Sequence, residues 1–335
     1  MKRVCVVGSG SWGTAFSTLL AATCETVVVW SREDVIAESI RSEHRNCLHL
    51  RDALLPENIV ATTSQEEAVS GSEAVVLATP SAFLRSTCAS LAPYIDTQVP
   101  ILVLSKGMEA HSHKLMHEVV ADELGHPERI AVLSGPNHAE EVIEKSFSAA
   151  VVASEDLACA KRFQKVISCR EFRTYVSDDV RGVEACAAAK NVVAIACGVA
   201  VGSGAGDNTL AALMTRGIAE LGRIVVALGG NPLTCMGLAG MGDLVVTCTS
   251  RHSRNRSFGE ALVGGETLDT YQSRTHMVVE GAQAVKGLYE LGHQKHIEIP
   301  LTDAVHAILY EGASIDAVVA NLMDRMPRNE FYGIE

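Results

Sequence analysis

"RVCVVGSGSWG", residues 3–13, decides the fold of the N-terminal half of the chain. An apolar run ends at Gly8 and a segment of helical character follows, so that Gly8, Gly10 and Gly13 have the G-x-G-x-x-G spacing. Between a strand and a helix, these glycines permit a tight turn, close approach of backbone to a pyrophosphate, and close helix–strand packing. The N–H groups at the start of the helix would bind the phosphates. We therefore predict a dinucleotide-binding turn, with a purely structural turn as the alternative.

The first half of the chain alternates between predicted strands and helices. Four more short apolar runs follow the first: "TVVVWSR", "AVVLATP", "PILVLSKG" and "IAVLSGP". Strands that alternate with helices form βαβ units and a parallel sheet. From about Asp179 the apolar residues have helical spacing instead. The prediction is an α/β fold with a Rossmann-type, doubly wound, mainly parallel sheet over residues 1–178 and an all-α domain over residues 179–335.

Composition and charge argue against several classes of function. The 335 residues carry a formal net charge of -12, which argues against nucleic acid or an anionic membrane as the partner. We expect no secretory leader before the first strand and no integral membrane segment, because the longest apolar helix carries charged residues. The 10 cysteines include no C-x-x-C pair, so we expect free thiols, no metal site and a cytoplasmic protein.

The end of the second predicted strand bears on the choice of cofactor. Folds that prefer NAD usually have an acidic residue there, hydrogen-bonded to the ribose 2′-hydroxyl. Here Arg32 lies at or just after the strand end, where a guanidinium would attract the 2′-phosphate of NADPH. We therefore expect NADPH, or both NADPH and NADH, as the cofactor. The alternative is that Arg32 starts the next helix in solvent.

Two segments of the C-terminal half could carry a reaction. Lys190 lies in an apolar helix, where burial would lower its pKa and make it a general base near neutral pH; a lysine that extends to the surface is the alternative. Asp243 lies among glycines in "GLAGMGDLVVTCTSRHSRNRS", residues 237–257. Arg251, Arg254 and Arg256 follow it, interleaved with hydroxyl and amide side chains, a set that suits a phosphate. A solvated basic loop is the alternative here.

On these motifs the chain resembles the bacterial-type NAD(P)-dependent glycerol-3-phosphate dehydrogenases over nearly its whole length. The segments that carry the resemblance are "GSGSWGTA", "LPENI", "SKGME", "SGPNHAEEV", "AAAKN" and "GLAGMGDLVVTCTSRHSRNR". The resemblance implies a two-domain enzyme that interconverts dihydroxyacetone phosphate and sn-glycerol 3-phosphate by hydride transfer with NAD(P)H. It further implies a supply of glycerol 3-phosphate for phospholipid synthesis and a reaction without a metal ion.

The resemblance also assigns roles to individual residues. Lys190 matches the residue that exchanges a proton with the C2 oxygen of the substrate, Lys106 matches a catalytic lysine of the substrate site, and Asp243 matches the acid that orients Lys190. The positions that match substrate-binding residues are Lys106, Gly135, Asn137, Lys190, Asp243, Ser253, Arg254 and Asn255. The positions that match cofactor contacts are Gly8, Gly10, Ser11, Trp12, Gly13, Arg32, Lys106, Ala139, Arg254, Val278 and Glu280.

Two positions depart from the pattern of the family. Asn137 stands where many relatives have serine, and both side chains can hydrogen-bond. His49, in "HLRD", stands where many relatives have tyrosine, so no cofactor contact is assigned to it.

Three other functions remain open at this point. A related two-domain hydroxy-acid dehydrogenase would share the fold and a helix-borne lysine, but it would need a carboxylate-binding site rather than phosphate-type residues. A methyltransferase would need an acid where Arg32 lies, and a non-catalytic NAD(P)H sensor would need neither Lys190 nor Asp243. The apolar C-terminal helices favour a homodimer over a monomer.

Overall fold

The computed structural model describes residues 1–275, 278–326, 329–330 and 332–333. The chain forms two compact units, one made of Met1–Ser105 and Met116–Val180, the other of Lys106–Leu115 and Arg181–Glu335. The first unit, whose residues are all described, contains the sheet with seven α-helices, and the second consists mainly of helices. Residues 106–115 group with the helical unit although they precede residue 178, so the linear division at 178/179 stays a prediction.

An eight-stranded sheet is the frame of the first unit. Its strands are β1 (Arg3–Val7), β2 (Thr26–Trp30), β3 (Ile59–Thr62), β4 (Ala74–Leu77), β5 (Ile101–Val103), β6 (Ile130–Ser134), β7 (Ser148–Ala153) and β8 (Phe172–Ser177). The order is β3-β2-β1-β4-β5-β6-β7-β8, and all neighbours are parallel except β6 and β7. Val7 of β1 pairs with Trp30 of β2 and Leu77 of β4, so these strands end together at one edge. The predicted Rossmann-type, mainly parallel sheet is confirmed.

Helices cover the sheet of the first unit. They are α1 (Ser11–Ala21), α2 (Asp34–Glu43), α3 (Gln65–Val69), α4 (Leu84–Leu91), α5 (Met116–Leu124), α6 (Ala139–Ile143) and α7 (Leu157–Ile167). Val4 and Val6 of β1 share one buried cluster with Phe16 of α1 and Phe163 of α7. Cys5, between the two valines, is buried as well, as expected for a parallel strand that is covered on both faces.

Three strands of the sheet, β3, β7 and β8, are absent from the sequence-based prediction. Strand β3 lies at one edge of the sheet with Val60 exposed, and β7 is rich in alanine, which has a low strand propensity. Strand β8 lies at the edge of the sheet, and its exposed Arg173 and Tyr175 alternate with buried residues, so it lacks the continuous apolar run of the central strands.

The second unit consists mainly of helices. They are α8 (Val180–Gly202), α9 (Asp207–Ala227), α10 (Asp243–Thr249), α11 (Arg254–Val263), α12 (Leu268–Thr275), α13 (Glu280–Gln294), α14 (Pro300–Tyr310) and α15 (Ile315–Met323). Helices α8 and α11 touch through glycine: a Cβ at Gly198 or Gly259 would lie 2.0 or 2.2 Å from a backbone oxygen of the other helix. This close approach holds the segments that carry Lys190 and Asn255 side by side.

Helix α8 passes the length and hydropathy test for a membrane span, and 78% of its most apolar window is buried inside the protein. It also carries Lys190 and Asn191 in its interior, both buried. A helix that is apolar on all sides and covered by its own fold is typical of the core of a helical domain.

Candidate active site

The glycine-rich turn connects β1 to α1 at the edge where β1, β2 and β4 end. Gly8 has φ +119°, a conformation that favours glycine, and a Cβ at Gly13 would lie 2.1 Å from the carbonyl oxygen of Gly8. A Cβ at Gly10 would meet nothing within 4 Å. The turn is therefore tightly packed at its first and third glycines and open at the second.

The start of α1 fits the pyrophosphate of a dinucleotide. The N-cap, Gly10, supplies no side-chain hydrogen bond, and no acidic residue lies in the first turn. The N–H groups there can therefore bind an anion, helped by the helix dipole. Trp12 Nε1 is buried and has no hydrogen-bond partner among the described residues, which leaves one more donor beside Ser11 for a ligand.

Arg32 lies two residues after the end of β2, and its side chain is 77% exposed. Its Nη2 lies 3.1 Å from Glu33 Oε1, so the guanidinium is at the surface with a neighbouring carboxylate as its partner. A 2′-phosphate would have to compete with that carboxylate, although an exposed ion pair is weak. The preference for NADPH through Arg32 therefore stays a prediction.

A second turn at this edge of the sheet follows β6. Gly135 has φ +151°, and a Cβ there would lie 2.7 Å from the carbonyl oxygen of Ala149. Asn137 is half-buried two residues later, and Ala139 is buried at the start of α6. Apart from Arg32, the predicted residues of the first unit thus lie in or next to two turns, one directly after β1 and the other directly after β6.

In the second unit, three of the predicted residues are in direct contact. Lys106 Nζ donates to Asp243 Oδ2 at 2.8 Å, and Lys190 Nζ lies 3.0 Å from Asp243 Oδ1. The side chain of Asp243 is 4% exposed, that of Lys190 6% and that of Lys106 16%. One buried carboxylate therefore holds two ammonium groups, and Lys106 contributes from the 106–115 segment of this same unit.

The local fold around Asp243 explains how the carboxylate reaches this position. Asp243 is the first residue of α10, directly after one turn of π-helix, Leu238–Gly242. A Cβ at Gly240 would lie 2.2 Å from the carbonyl oxygen of Cys235, so the glycine-rich run is required for this tight coil. A π-helical turn is rare and often lies at a functional site.

Burial and charge shift the pKa values of this group in a consistent way. Burial lowers the pKa of Lys190 below its usual value, and the neighbouring Asp243 carboxylate offsets only part of this effect. Burial also disfavours the charged form of Asp243, but the Lys106 and Lys190 ammonium groups outweigh it and hold the pKa of the carboxyl below its usual value. Asp243 is therefore ionised at neutral pH, and Lys190 can lose its proton more readily than an exposed lysine.

Thr247 also belongs to this group, and the sequence-based prediction missed it. Lys190 Nζ donates to Thr247 Oγ1 at 2.8 Å, and Thr247 Oγ1 donates to the carbonyl oxygen of Asp243 at 2.5 Å. Its position four residues after Asp243 on α10 is the signal that could have found it, because such residues share a helix face. An ammonium has three donors. With Thr247 and Asp243 as its partners among the described residues, Lys190 has one N–H left for a substrate oxygen.

The basic segment after α10 divides into different roles. Ser253 caps α11 by accepting from the N–H of Arg256, whose guanidinium pairs with Glu260 at 2.9 Å. Arg254 is exposed, and its Nη1 lies 3.4 Å from the carbonyl oxygen of Val278. Arg251, which the sequence grouped with it, is also exposed. Arg254 at the start of α11 is therefore the arginine best placed to bind an anion.

Asn255 connects three helices of the second unit. Its Nδ2 donates to Asn191 Oδ1 at 2.9 Å, and its Oδ1 accepts from the N–H of Gly281 at 3.0 Å. Asn191 follows Lys190 on α8, and Gly281 follows Glu280, whose carboxylate acts on the pKa of Lys190. The structure thus brings the predicted residues at 253–255, 278 and 280 next to the helix that carries Lys190.

This arrangement suits a reaction in which negative charge develops on an oxygen. Two ammonium groups can stabilise an oxyanion, and the one with the lowered pKa can give or take a proton. Among the described residues no group of three or more His, Cys, Asp or Glu side chains could hold a metal ion, and none of the ten cysteines, all of which are described, forms a disulfide.

Both halves of the chain match one protein family. The family described as NAD-dependent glycerol-3-phosphate dehydrogenase matches residues 3–160 with its N-terminal part and residues 179–320 with its C-terminal part. The chain belongs to this family. It is 43% identical over 337 residues to the glycerol-3-phosphate dehydrogenase (NAD(P)+) of Nocardia farcinica, covering 98% of this chain and 100% of the relative.

Solved structures of glycerol-3-phosphate dehydrogenases have the same fold. That of Coxiella burnetii is 37% identical with a TM-score of 0.92, over 97% of this chain and 99% of that one. That of Saccharomyces cerevisiae is 26% identical with a TM-score of 0.84, again over 97% and 99% of the two chains. Membership of this family confirms the predicted enzyme, an NAD(P)-dependent glycerol-3-phosphate dehydrogenase. It favours this enzyme over a hydroxy-acid dehydrogenase, a methyltransferase or a sensor.

Proposed function

We propose that this chain interconverts dihydroxyacetone phosphate and sn-glycerol 3-phosphate with NAD(P)H, and so supplies glycerol 3-phosphate for phospholipid synthesis. The observation that carries the proposal is the buried contact of Lys106 and Lys190 with the two carboxylate oxygens of Asp243. In this family the reaction develops negative charge on the C2 oxygen, and two ammonium groups held by one buried acid can stabilise that alkoxide.

In this proposal Lys190 is the proton donor in the reduction and the acceptor in the oxidation. Its lowered pKa makes Nζ a stronger acid than an exposed ammonium, and its remaining N–H can meet the C2 oxygen. Asp243 and Thr247 orient Nζ, and Lys106 adds positive charge at the same oxygen. These residues supply the charge, so the proposed reaction needs no metal ion.

The proposed substrate contacts also include the phosphate-binding residues of the second unit. Arg254 and Asn255 at the start of α11 would bind the phosphate together with Ser253, and Gly135 and Asn137 would contact the substrate from the turn after β6. Binding of a remote phosphate positions the reacting carbon without taking part in the chemistry.

NAD(P)H supplies the hydride when bound, and we propose a preference for NADPH through Arg32. The glycine-rich turn with Ser11 and Trp12 would hold the pyrophosphate, because its N–H groups and Trp12 Nε1 are the donors described above. The resemblance adds Lys106, Ala139, Arg254, Val278 and Glu280 as cofactor contacts.

We further propose a cytoplasmic homodimer. Free cysteines suit a reducing compartment, and Val319 and Met323 of α15 are 49% and 79% exposed, which leaves apolar surface on the C-terminal helices. The test is light scattering on the protein as it elutes from size-exclusion chromatography. We expect the mass of two chains, and the mass of one chain would contradict the homodimer.

The activity is tested by NADPH oxidation at 340 nm with and without dihydroxyacetone phosphate. We expect NADPH oxidation only when the ketone is added, and Lys190→Ala should lower kcat by about 10²–10⁴-fold with little change in NADPH binding. Lys161→Ala, an exposed lysine of α7, is the matched control and should retain full activity. An alanine variant at 190 that keeps most of its kcat would refute the proton-transfer role.

A further inference from the structure

Asn46 is a buried polar residue that none of the roles above uses. It follows α2 and has 0% exposure. Its Nδ2 donates to the carbonyl oxygen of Ser9 and to Thr14 Oγ1, both at 2.8 Å. Its Oδ1 accepts from the N–H groups of Leu48 at 3.2 Å and His49 at 2.9 Å. Both hydrogens of the amide and its oxygen are therefore engaged.

These bonds link the glycine-rich turn to the segment after α2, at the edge of the sheet where β1, β2 and β4 end. Ser9 lies between the first two glycines of the turn, and Thr14 is in the first turns of α1. Thr14 Oγ1 also donates to the carbonyl oxygen of Ser9 at 3.2 Å, and Ser9 Oγ donates to Ser31 Oγ at the end of β2 at 2.8 Å. Asn46 thus ties the segment 47–49 to the turn, and Ser31 ties the end of β2 to the same turn.

The carbonyl oxygen of Ser9 belongs to the same planar peptide unit as the N–H of Gly10, because the peptide bond does not rotate freely. A bond that holds this oxygen therefore fixes the direction of the Gly10 N–H, which lies at the start of α1. Gly10 has no Cβ to restrict this peptide, and a Cβ there would meet nothing within 4 Å. The side chains of Asn46 and Thr14 are what hold the Ser9 oxygen.

We propose that Asn46 is a positioning residue of the cofactor site. Through its amide it orients the Ser9–Gly10 peptide toward the pyrophosphate and holds the backbone of 48–49 against the turn. The proposal rests on the proposed placement of the dinucleotide at this turn. Asn46 touches neither the substrate nor the reacting atoms, so its loss should act on cofactor affinity and leave the chemical step unchanged.

The test is to measure the Kd of NADPH by nicotinamide fluorescence, together with kcat and both KM values, for Asn46→Ala. We expect the Kd and KM for NADPH to rise by about tenfold, because several hydrogen bonds that order the site are lost. The kcat at saturating NADPH and the KM for dihydroxyacetone phosphate should stay within about twofold of wild type. Thr14→Val removes one partner of the Ser9 oxygen without adding charge and should raise the same Kd by about threefold.

The matched control is Asn58→Ala in the same unit. Asn58 Nδ2 donates to the carbonyl oxygens of Ala21 at 2.9 Å and Cys24 at 3.0 Å, at the opposite end of α1 from the turn. Its loss should lower the Tm without changing the Kd of NADPH. If Asn46→Ala lowers the Tm but leaves the Kd unchanged, as Asn58→Ala does, the positioning role is wrong. If Asn46→Ala does not fold, an unchanged Kd in Thr14→Val has the same meaning.

Gly13→Ala separates this proposal from the placement on which it rests. A Cβ at Gly13 would lie 2.1 Å from the carbonyl oxygen of Gly8, so the turn must distort. If a folded Gly13→Ala variant binds NADPH as wild type does, the dinucleotide is not at the turn and both ideas fall. If it loses NADPH while the Asn46 and Thr14 variants bind normally, only the positioning role is refuted.

Discussion

Asp243→Asn is the substitution that tests the active site most sharply. The amide has nearly the shape of the carboxylate, so packing around α10 should be kept. It removes the single negative charge that lies 2.8 Å from Lys106 Nζ and 3.0 Å from Lys190 Nζ. It also places an N–H₂ group, which can only donate, against one of two ammonium groups that are themselves donors.

The size of the effect follows from burial and charge. Removing one partner of a buried ion pair costs about 3–5 kcal/mol, since the remaining charge is left without compensation. Here two ammonium groups remain, Lys106 and Lys190, and the pKa of Lys190 is the one that burial already lowers and Asp243 raises. Without that carboxylate the pKa of Lys190 falls further, so less of the protonated form needed for reduction is present at neutral pH. We expect kcat for reduction to fall by about 10²–10⁴-fold at neutral pH.

The assay is the pH dependence of kcat for reduction of dihydroxyacetone phosphate at saturating NADPH. The limb that reports protonated Lys190 should move to lower pH in Asp243→Asn, with partial recovery of rate in acid. Thr247→Val is the matched control: it removes a neutral hydrogen bond to the same Nζ and should lower kcat with a much smaller shift of the limb. An Asp243→Asn variant with a normal kcat and an unshifted limb would refute the role of Asp243 as the counter-ion of Lys190.

Three further predictions concern the phosphate, the cofactor and a buried acid. In steady-state kinetics, Arg254→Ala should raise the KM for dihydroxyacetone phosphate far more than that for unphosphorylated dihydroxyacetone. The lost phosphate contact corresponds to about 1.5–3 kcal/mol of binding free energy, and equal effects on both substrates would contradict phosphate binding. Arg32→Asp should weaken NADPH at least about tenfold in fluorescence titration and keep or improve NADH, and a variant that changes neither would place Arg32 in solvent. Glu220, fully buried, accepts from the N–H of Thr302 at 2.9 Å, and burial raises the pKa of its carboxyl. The stabilising effect of a raised folded-state pKa is complete below the unfolded pKa and is lost as the pH rises through the folded pKa. Between these two pKa values, the free energy of urea unfolding of wild type relative to Glu220→Gln should therefore fall as the pH rises. A difference between the two proteins that does not depend on pH would contradict this.

Much of the first unit could be predicted because its signals are local. The spacing of Gly8, Gly10 and Gly13 and the apolar runs of the central strands depend on residues that are neighbours in sequence. Strands β3, β7 and β8 could not be predicted in this way, since they are alanine-rich or partly exposed and become strands by pairing with the sheet.

The candidate site likewise has features that are local in sequence and features that depend on the folded chain. The residue types of the site could be identified from the sequence: a lysine in an apolar helix, an acid among glycines, and an arginine-rich segment with hydroxyl and amide groups. The sequence did not determine that Lys106 packs with the helical unit, which follows from the grouping of residues 106–115 with 181–335. A boundary drawn between residues 178 and 179 cannot show this grouping, because residues 106–115 contact residues 181–335 only after the chain has folded.

Tertiary structure alone decided how each of these side chains is used. Arg256 and Arg254 look alike in sequence, but Glu260 pairs with the first, while the second is exposed at the start of α11. Thr247 and Asn46 are ordinary polar residues until burial removes water and makes Lys190 Nζ and the Ser9 oxygen their partners. A buried polar group must find a partner within the protein, and which partner it finds depends on segments that are distant in sequence and adjacent only in the folded chain.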